Sequence, residues 1–427
     1  MPRSFMVAAS DEGCRASTSP EEAYAQVQAA HAEHFGAQPV MWASTPASWF
    51  VIGEHTDAAG GVVVCGLSDA TATVAVTPRS DQAVRVHYLD YSHGEPVVTD
   101  DQTSLTSEQT YGVAAPSFVQ SAASDVARRL AGVIQTAMGR QLIAREVRGA
   151  DITVLSTITE GVGLGERAAV ECATLLALSM HTKDRDEAPI RARLVEVAVN
   201  SAAGYSPEPP LKARYTAIMR GRPGTLQVVD YRDGSLTQAP HLADAGVQPV
   251  ILALPEDATG VDVTELRQRI HFAADASKAF GVESLRHLPD AAPRVTAWLA
   301  AMHGAQRADG LPSAQQASAW MDFFDAETTH ATEFINLVRS RRQARALVAL
   351  ERSRDALASA LGVNPAAVQL SELACEWGAQ AARPACAGLT DAVVAYLPAA
   401  EVDGFRTRAG DAGLVTVELT QATAIAG

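Results

Sequence analysis

Residues 46–61 read PASWFVIGEHTDAAGG, and the fold turns on how this stretch is parsed. Trp49-Phe50-Val51-Ile52 is a short apolar, β-prone run that stops at Gly53. Glu54, His55 and Asp57 follow within four residues, and Gly60-Gly61 leads into a second apolar run, Val62-Val63-Val64-Cys65. The pattern predicts strand, polar loop, strand. Two carboxylates and an imidazole in one loop can grip several hydroxyls, because carboxylates accept hydrogen bonds and imidazole does either. The same residues also suit a solvated turn.

Working outward, Ser19-Pro20-Glu21-Glu22 predicts a helix start, with Ser19 as N-cap, Pro20 in the first turn and Glu22 placed for a capping box. That helix runs towards Phe35 and stops at Gly36. After the loop, residues 71–77 and 83–88 alternate and predict an antiparallel sheet. Residues 92–107 read as loop, 117–138 as helix, 152–155 as strand and 166–180 as helix. The segment YSPEPPL at 205–211 predicts a hinge, because its three prolines cannot sit inside a helix or central strand. Strands follow at 226–230, 250–254, 392–397 and 415–419, with helices at 263–280 and over 320–357, the last broken once. Strands and helices mix without a regular βαβ rhythm, which predicts an α+β protein of two domains, 1–205 and 206–427.

The composition narrows the class. A chain of 427 residues, 47% hydrophobic and 19% charged, has enough apolar material for two full cores. A formal charge of −15 argues against nucleic acid or an anionic membrane as partner, since either needs a basic face. Cys14, Cys65, Cys172, Cys375 and Cys386 are odd in number and form no CxxC pair, which fits reduced thiols in the cytoplasm. No apolar run reaches membrane-spanning length, and no secretory h-region opens the sequence.

A second segment carries chemistry. Residues 159–171, TEGVGLGERAAVE, form a glycine-rich turn opening a helix. Such a turn can cradle phosphate with outward backbone N–H groups and the helix dipole. It can equally be a plain strand-to-helix connection.

Together these segments resemble galactokinases and, more widely, the GHMP kinases. Residues 35–61 resemble the family's opening, a helix ending in FG and then a PGRVNLIGEHTDYN-like run, and Ile52 to Asp57 match without a gap. The resemblance implies that Glu54, His55 and Asp57 bind the hydroxyls of a galactose-like sugar. Residues 159–171 resemble the family's PVGAGLSSSA-like loop, which implies ATP phosphates at Gly161, Gly163, Gly165, Glu166 and Arg167, with magnesium beside them. The resemblance further implies a cleft between two domains and ATP-dependent phosphorylation of the anomeric hydroxyl of galactose.

The departures fall on the phosphate side. The family's arginine that assists phosphoryl transfer is Ser48 here, and its Tyr-Asn after the aspartate is Ala58-Ala59. The three serines of the phosphate loop are Gly165, Glu166 and Arg167. Glu166 is expected to stand partly in the anion site, and its carboxylate is the candidate magnesium ligand. Counting back from Asp230 puts the family's catalytic aspartate at Arg214, a guanidinium that cannot accept a proton. Residues 382–394, ARPACAGLTDAVV, resemble a glycine-rich GARMTGGGFGGCVV run, of which Arg383 and Gly388 survive. No catalytic residue of the family therefore stands in its slot. The expectation is a sugar-binding pseudokinase, with a protein partner if it acts as a regulator. A rewired kinase using Glu166 on magnesium and Arg214 or Arg167 on phosphate is the alternative, as is a non-catalytic interaction protein. On sequence alone, exchanging Ser48→Arg with Arg214→Asp is expected to fail unless Glu166 and Arg167 also become serines.

Overall fold

A computed structural model describes residues 19–92, 96–105, 126–143, 147–206, 208–255, 263–361 and 364–422. The helix α1 (Pro20–Phe35) starts where the sequence places it: the Ser19 hydroxyl accepts the Glu22 N–H at 3.1 Å, and Gly36 closes the helix with φ +73°. Strands β1 (Met41–Ile52) and β2 (Val62–Arg79) then form an antiparallel hairpin whose connection is the IGEHTD loop. Nearly every residue of β1 is buried, which explains its continuous apolar character.

The 18-residue β2 organises the first sheet. One side carries β1 along most of its length. The other side carries β5 (Gly149–Ser156) at one end and β6 (Thr225–Asp230) at the other. With β3 (Ala83–Asp90), β4 (Val97–Ser104) and β7 (Ser235–Pro240) this makes seven strands, ordered β4-β3-β5-β2-β6-β7 with β1 on β2. Pairing is antiparallel except between β3 and β5, so the sheet is mixed. Strand β4 falls where the sequence suggests loop. It is a polar, exposed edge strand, so it shows no apolar alternation and exists through its ladder with β3. The helix expected over 117–138 is seen as α2 (Val126–Gly139), and residues 117–125 lie outside those described.

The remaining helices of the first half are α3 (Glu166–Leu178) and α4 (Ala188–Tyr205). After the proline segment, α5 (Lys212–Arg220) leads into β6 and β7, so the first sheet draws two strands from beyond the 205/206 division. The second sheet is β11-β8-β10-β9, from β8 (Val247–Ala253), β9 (Ala381–Pro384), β10 (Val393–Pro398) and β11 (Val415–Glu418). Between them in sequence come α6 (Thr264–Phe280), α7 (Ala291–Gly304), α8 (Ala314–Arg339), α9 (Gln343–Leu361) and α10 (Pro365–Glu376), with α11 (Val402–Asp411) following β10. Ala58 and Ala59, just after the signature loop, pack with the α6–α9 core of Phe272, Trp320, Phe323 and Leu357. Burying each large side chain of that core contributes about 1.5–3 kcal/mol. The fold is α+β with mixed sheets and helices.

At the β5 end of the sheet, Asp151 accepts hydrogen bonds from Arg85 at 2.6 and 2.7 Å and from Arg79 at 3.0 and 3.1 Å. Burial pushes its carboxyl up, but the two arginines outweigh burial and hold it below the usual range. Its contribution is therefore present above the ordinary aspartate value near 3.9 and lost as pH falls through the lower folded value. Asp151→Asn should cost about 1.5–3 kcal/mol at pH 7. Urea midpoints of wild type and variant should draw together as pH falls below the ordinary aspartate range; a gap that stays constant with pH would refute this account.

Candidate functional site

Gly53 begins the signature loop at φ +92°, and a Cβ there would lie 2.0 Å from the Val62 carbonyl oxygen, so only glycine fits. Its N–H donates to Glu327 Oε1 at 2.8 Å, fixing the loop to α8. Glu54 is 1% exposed, and both its oxygens accept from Arg383 Nη1, at 2.8 and 2.7 Å. Arg383 also donates to the Val51 carbonyl at 2.8 Å and to Ser353 Oγ at 2.9 Å, and lies 3.5 Å from Glu327. Burial and then the neighbouring Glu327 raise the Glu54 carboxyl, with Arg383 opposing. Glu54 therefore anchors the loop from within, whereas its polar neighbours are differently placed.

His55 is buried in the left-handed region at φ +67°. Asp57 opens a 3₁₀ turn, Asp57–Ala59, and is half-buried. Burial raises its carboxyl, with Lys212 opposing. Lys212 Nζ lies 5.0 Å from the centre of the Tyr231 ring, and the Tyr231 hydroxyl is 3.3 Å from Thr216 Oγ1. An acid, an ammonium and two hydroxyls thus gather on this side of the loop, a set suited to a polyhydroxylated ligand.

Ser48 and Arg214 meet directly, although 166 positions separate them. Arg214 Nη1 donates to the Ser48 carbonyl and lies 3.4 Å from Ser48 Oγ, while Nη2 donates to the Gly163 carbonyl at 2.6 Å. The guanidinium sits 4.5 Å from the centre of the Phe50 ring. Gly161, Gly163 and Gly165 all have positive φ, and a Cβ at Gly165 would fall 2.6 Å from Arg214 Nη1. The cation therefore fills the space between the glycine loop and β1. Ala385 and Cys386 back the loop, with Ala385 Cβ 3.0 Å from a Cβ built at Gly163.

Glu166 corrects one expectation. It does not stand in the mouth of the loop: it is 6% exposed and accepts from the Tyr88 hydroxyl of β3. Burial raises its carboxyl, opposed first by Arg129 and then by the Tyr88 hydrogen bond. The Tyr88 hydroxyl and the buried Arg129 hold it inward. A buried, engaged carboxylate of raised affinity for protons does not fit a magnesium ligand. Arg167 turns out to solvent and pairs with Glu208 at 2.8 Å, not with Glu166 or Glu171. Glu171 is held by Arg129 at 3.0 Å and Tyr215 at 2.8 Å. The α3 N-terminus has Gly165 as cap and no side-chain acceptor, so its first-turn N–H groups keep the polarity that suits an anion.

Sequence reasoning missed Glu327, Ser353, Lys212 and Tyr231. Glu327 and Ser353 sit in no motif: they lie on α8 and α9 and are brought to the loop by helix packing alone.

A sequence model described as the galactokinase galactose-binding signature matches residues 29–78. The chain is similar to the galactokinase of Chloroflexus aurantiacus, at 32% identity over 147 residues, 34% of this chain and 32% of that protein. It is similar to the galactokinase of Homo sapiens at 26% identity, over 62% of this chain and 63% of that one. These alignments span less than two thirds of the relatives' own lengths. Among solved structures, Lactococcus lactis galactokinase complexed with galactose superposes with a TM-score of 0.70, covering 94% of this chain and 99% of that one at 16% identity. The Methanococcus jannaschii mevalonate kinase superposes with a TM-score of 0.57 at 11% identity, covering 88% and 97% of the two chains. Both likenesses show a shared fold. No described helix is long and apolar enough to cross a membrane.

Proposed function

We propose that this galactokinase-like chain of GHMP-kinase fold binds a galactose-like sugar at the Asp57 side of the signature loop and transfers phosphate poorly or not at all. The observation that carries the reading is the Arg214–Ser48 contact. In the register read from the sequence, a guanidinium and a neutral hydroxyl occupy the slots of the family's base and its assisting arginine. No group in that pair can accept the proton of a sugar hydroxyl, and general-base help is typically worth about 10²–10⁴-fold. The sugar side keeps Glu54, His55 and Asp57, with Glu54 shaping the loop and Asp57, Lys212 and Tyr231 offering the polar contacts.

One observation favours the rewired-kinase reading. Arg214 brings a positive charge to within hydrogen-bonding reach of Ser48, so the cation of the family's pair is relocated rather than lost. ATP would then lie against the glycine loop and the uncapped start of α3, with Arg214 positioned to offset phosphate charge.

Thermal shift separates these readings. Galactose at a hundred times its dissociation constant should stabilise the chain by about 2.7 kcal/mol. The same sample with magnesium-ATP should release no ADP above background. Turnover in the ordinary kinase range of about 1–100 s⁻¹ would refute impaired transfer. Absence of a shift with galactose or related sugars would refute the sugar site.

A further inference from the structure

We propose that His34, His87 and Asp100 form a surface site for a borderline divalent transition metal, zinc being the best fit, built from residues outside the sugar and glycine loops. His34 lies in the last turn of α1, His87 on β3 and Asp100 on β4, so three elements converge on one point. His87 Nδ1 lies 2.7 Å and His34 Nε2 3.6 Å from the same Asp100 oxygen, and all three donor atoms fall within 4.8 Å of one another. Metal–nitrogen and metal–oxygen bonds of about 2.0–2.2 Å in a tetrahedron put donors about 3.3 Å apart. The observed 2.7 and 3.6 Å bracket that value, and the two stacked rings would turn out of parallel to face one ion.

A simple ion pair does not account for the geometry. One imidazole is enough to pair with Asp100, yet a second is stacked on the first, with ring centres 4.0 Å apart and planes 16° from parallel. Two imidazoles and one carboxylate gathered from three separate elements make a metal-donor set. Two imidazoles and a single carboxylate select zinc and its first-row neighbours over magnesium or calcium, which prefer all-oxygen shells. His34 and Asp100 are partly open to solvent, at 34% and 58% side-chain exposure, so a fourth position is accessible to water. The metal would clamp α1 to the edge hairpin of the seven-stranded sheet.

The test is a titration of the full, tag-free chain with cobalt chloride, followed by zinc competition. One equivalent should give a visible absorption of tetrahedral type that zinc removes and a hundredfold excess of magnesium does not. His34→Gln, a partly exposed position whose change should not disturb folding, is expected to weaken zinc by about 10²-fold or more, beyond the cost of losing a supporting group. Zinc should raise the melting temperature of wild type and not of that variant. Failure to bind one equivalent would overturn the proposal. So would unchanged binding in both His34→Gln and His87→Gln, which would place the metal on the thiols instead.

Discussion

Replacing Arg383 with alanine is expected to destabilise the chain by about 3–5 kcal/mol, a large share of an ordinary domain's stability. The guanidinium is fully buried and is the positive partner of Glu54 and Glu327, both themselves buried. Its removal leaves two carboxylates facing each other without that cation, and takes from the Ser353 hydroxyl the donor it accepts from, while its own bond to Glu327 stays. Glu54→Gln should cost less, because Arg383 keeps Glu327. Equilibrium urea unfolding of the three proteins gives the ranking directly. A loss below about 1 kcal/mol for Arg383→Ala would mean that water or rearrangement already satisfies these groups, and the anchoring account of Glu54 would fall.

The second large effect is a gain. On the proposed reading, exchanging Ser48→Arg with Arg214→Asp would put a carboxylate in the slot of the base and keep a guanidinium opposite it. ADP release with galactose should rise by about 10²–10⁴-fold over wild type. The sequence alone sets a stricter condition, that Glu166 and Arg167 also become serines. The structure relaxes it, since Glu166 is bound to Tyr88 and Arg167 to Glu208, and neither blocks the glycine loop. Each single change should gain nothing: Ser48→Arg alone puts two cations in contact, and Arg214→Asp alone leaves a buried acid without a partner. If the double variant stays at background while still binding galactose, the missing serine hydroxyls are the governing loss. If it fails to fold, the single Arg214→Ala variant tests binding of the nucleotide to the emptied loop by thermal shift.

Much of this was legible in the residues. Gly53, Glu54 and Asp57 between two apolar runs announce a strand–loop–strand unit because their chemistry is local, and Ser19-Pro20 announces α1 for the same reason. Spacing from Asp230 singled out Arg214, but its contact with Ser48 could not be read from the sequence. What could not be read is any side chain's direction. Glu166 carries the same letter whether it faces the loop or Tyr88, and burial, which decides between them, belongs to the folded packing that sets the start of α3 beside Tyr88 and Arg129. Strand β4 was hidden because an exposed edge has no apolar rhythm. Glu327 and Ser353 were hidden because helices α8 and α9 look like ordinary amphipathic segments, and only their packing reveals which polar residue meets Arg383.

The tie between Gly53 and Glu327 bears on how the sugar would be received. A surface loop usually has to be ordered by its ligand, and that ordering weakens the complex. Here the loop's backbone is fixed from β1, α8, α9 and β9 through one buried cluster of charges. The entropy cost of shaping it falls on folding and not on association. If a sugar binds as proposed, it would meet a loop whose shape is already set, so the few polar contacts around Asp57 could hold a small, strongly hydrated molecule that a mobile loop would let go.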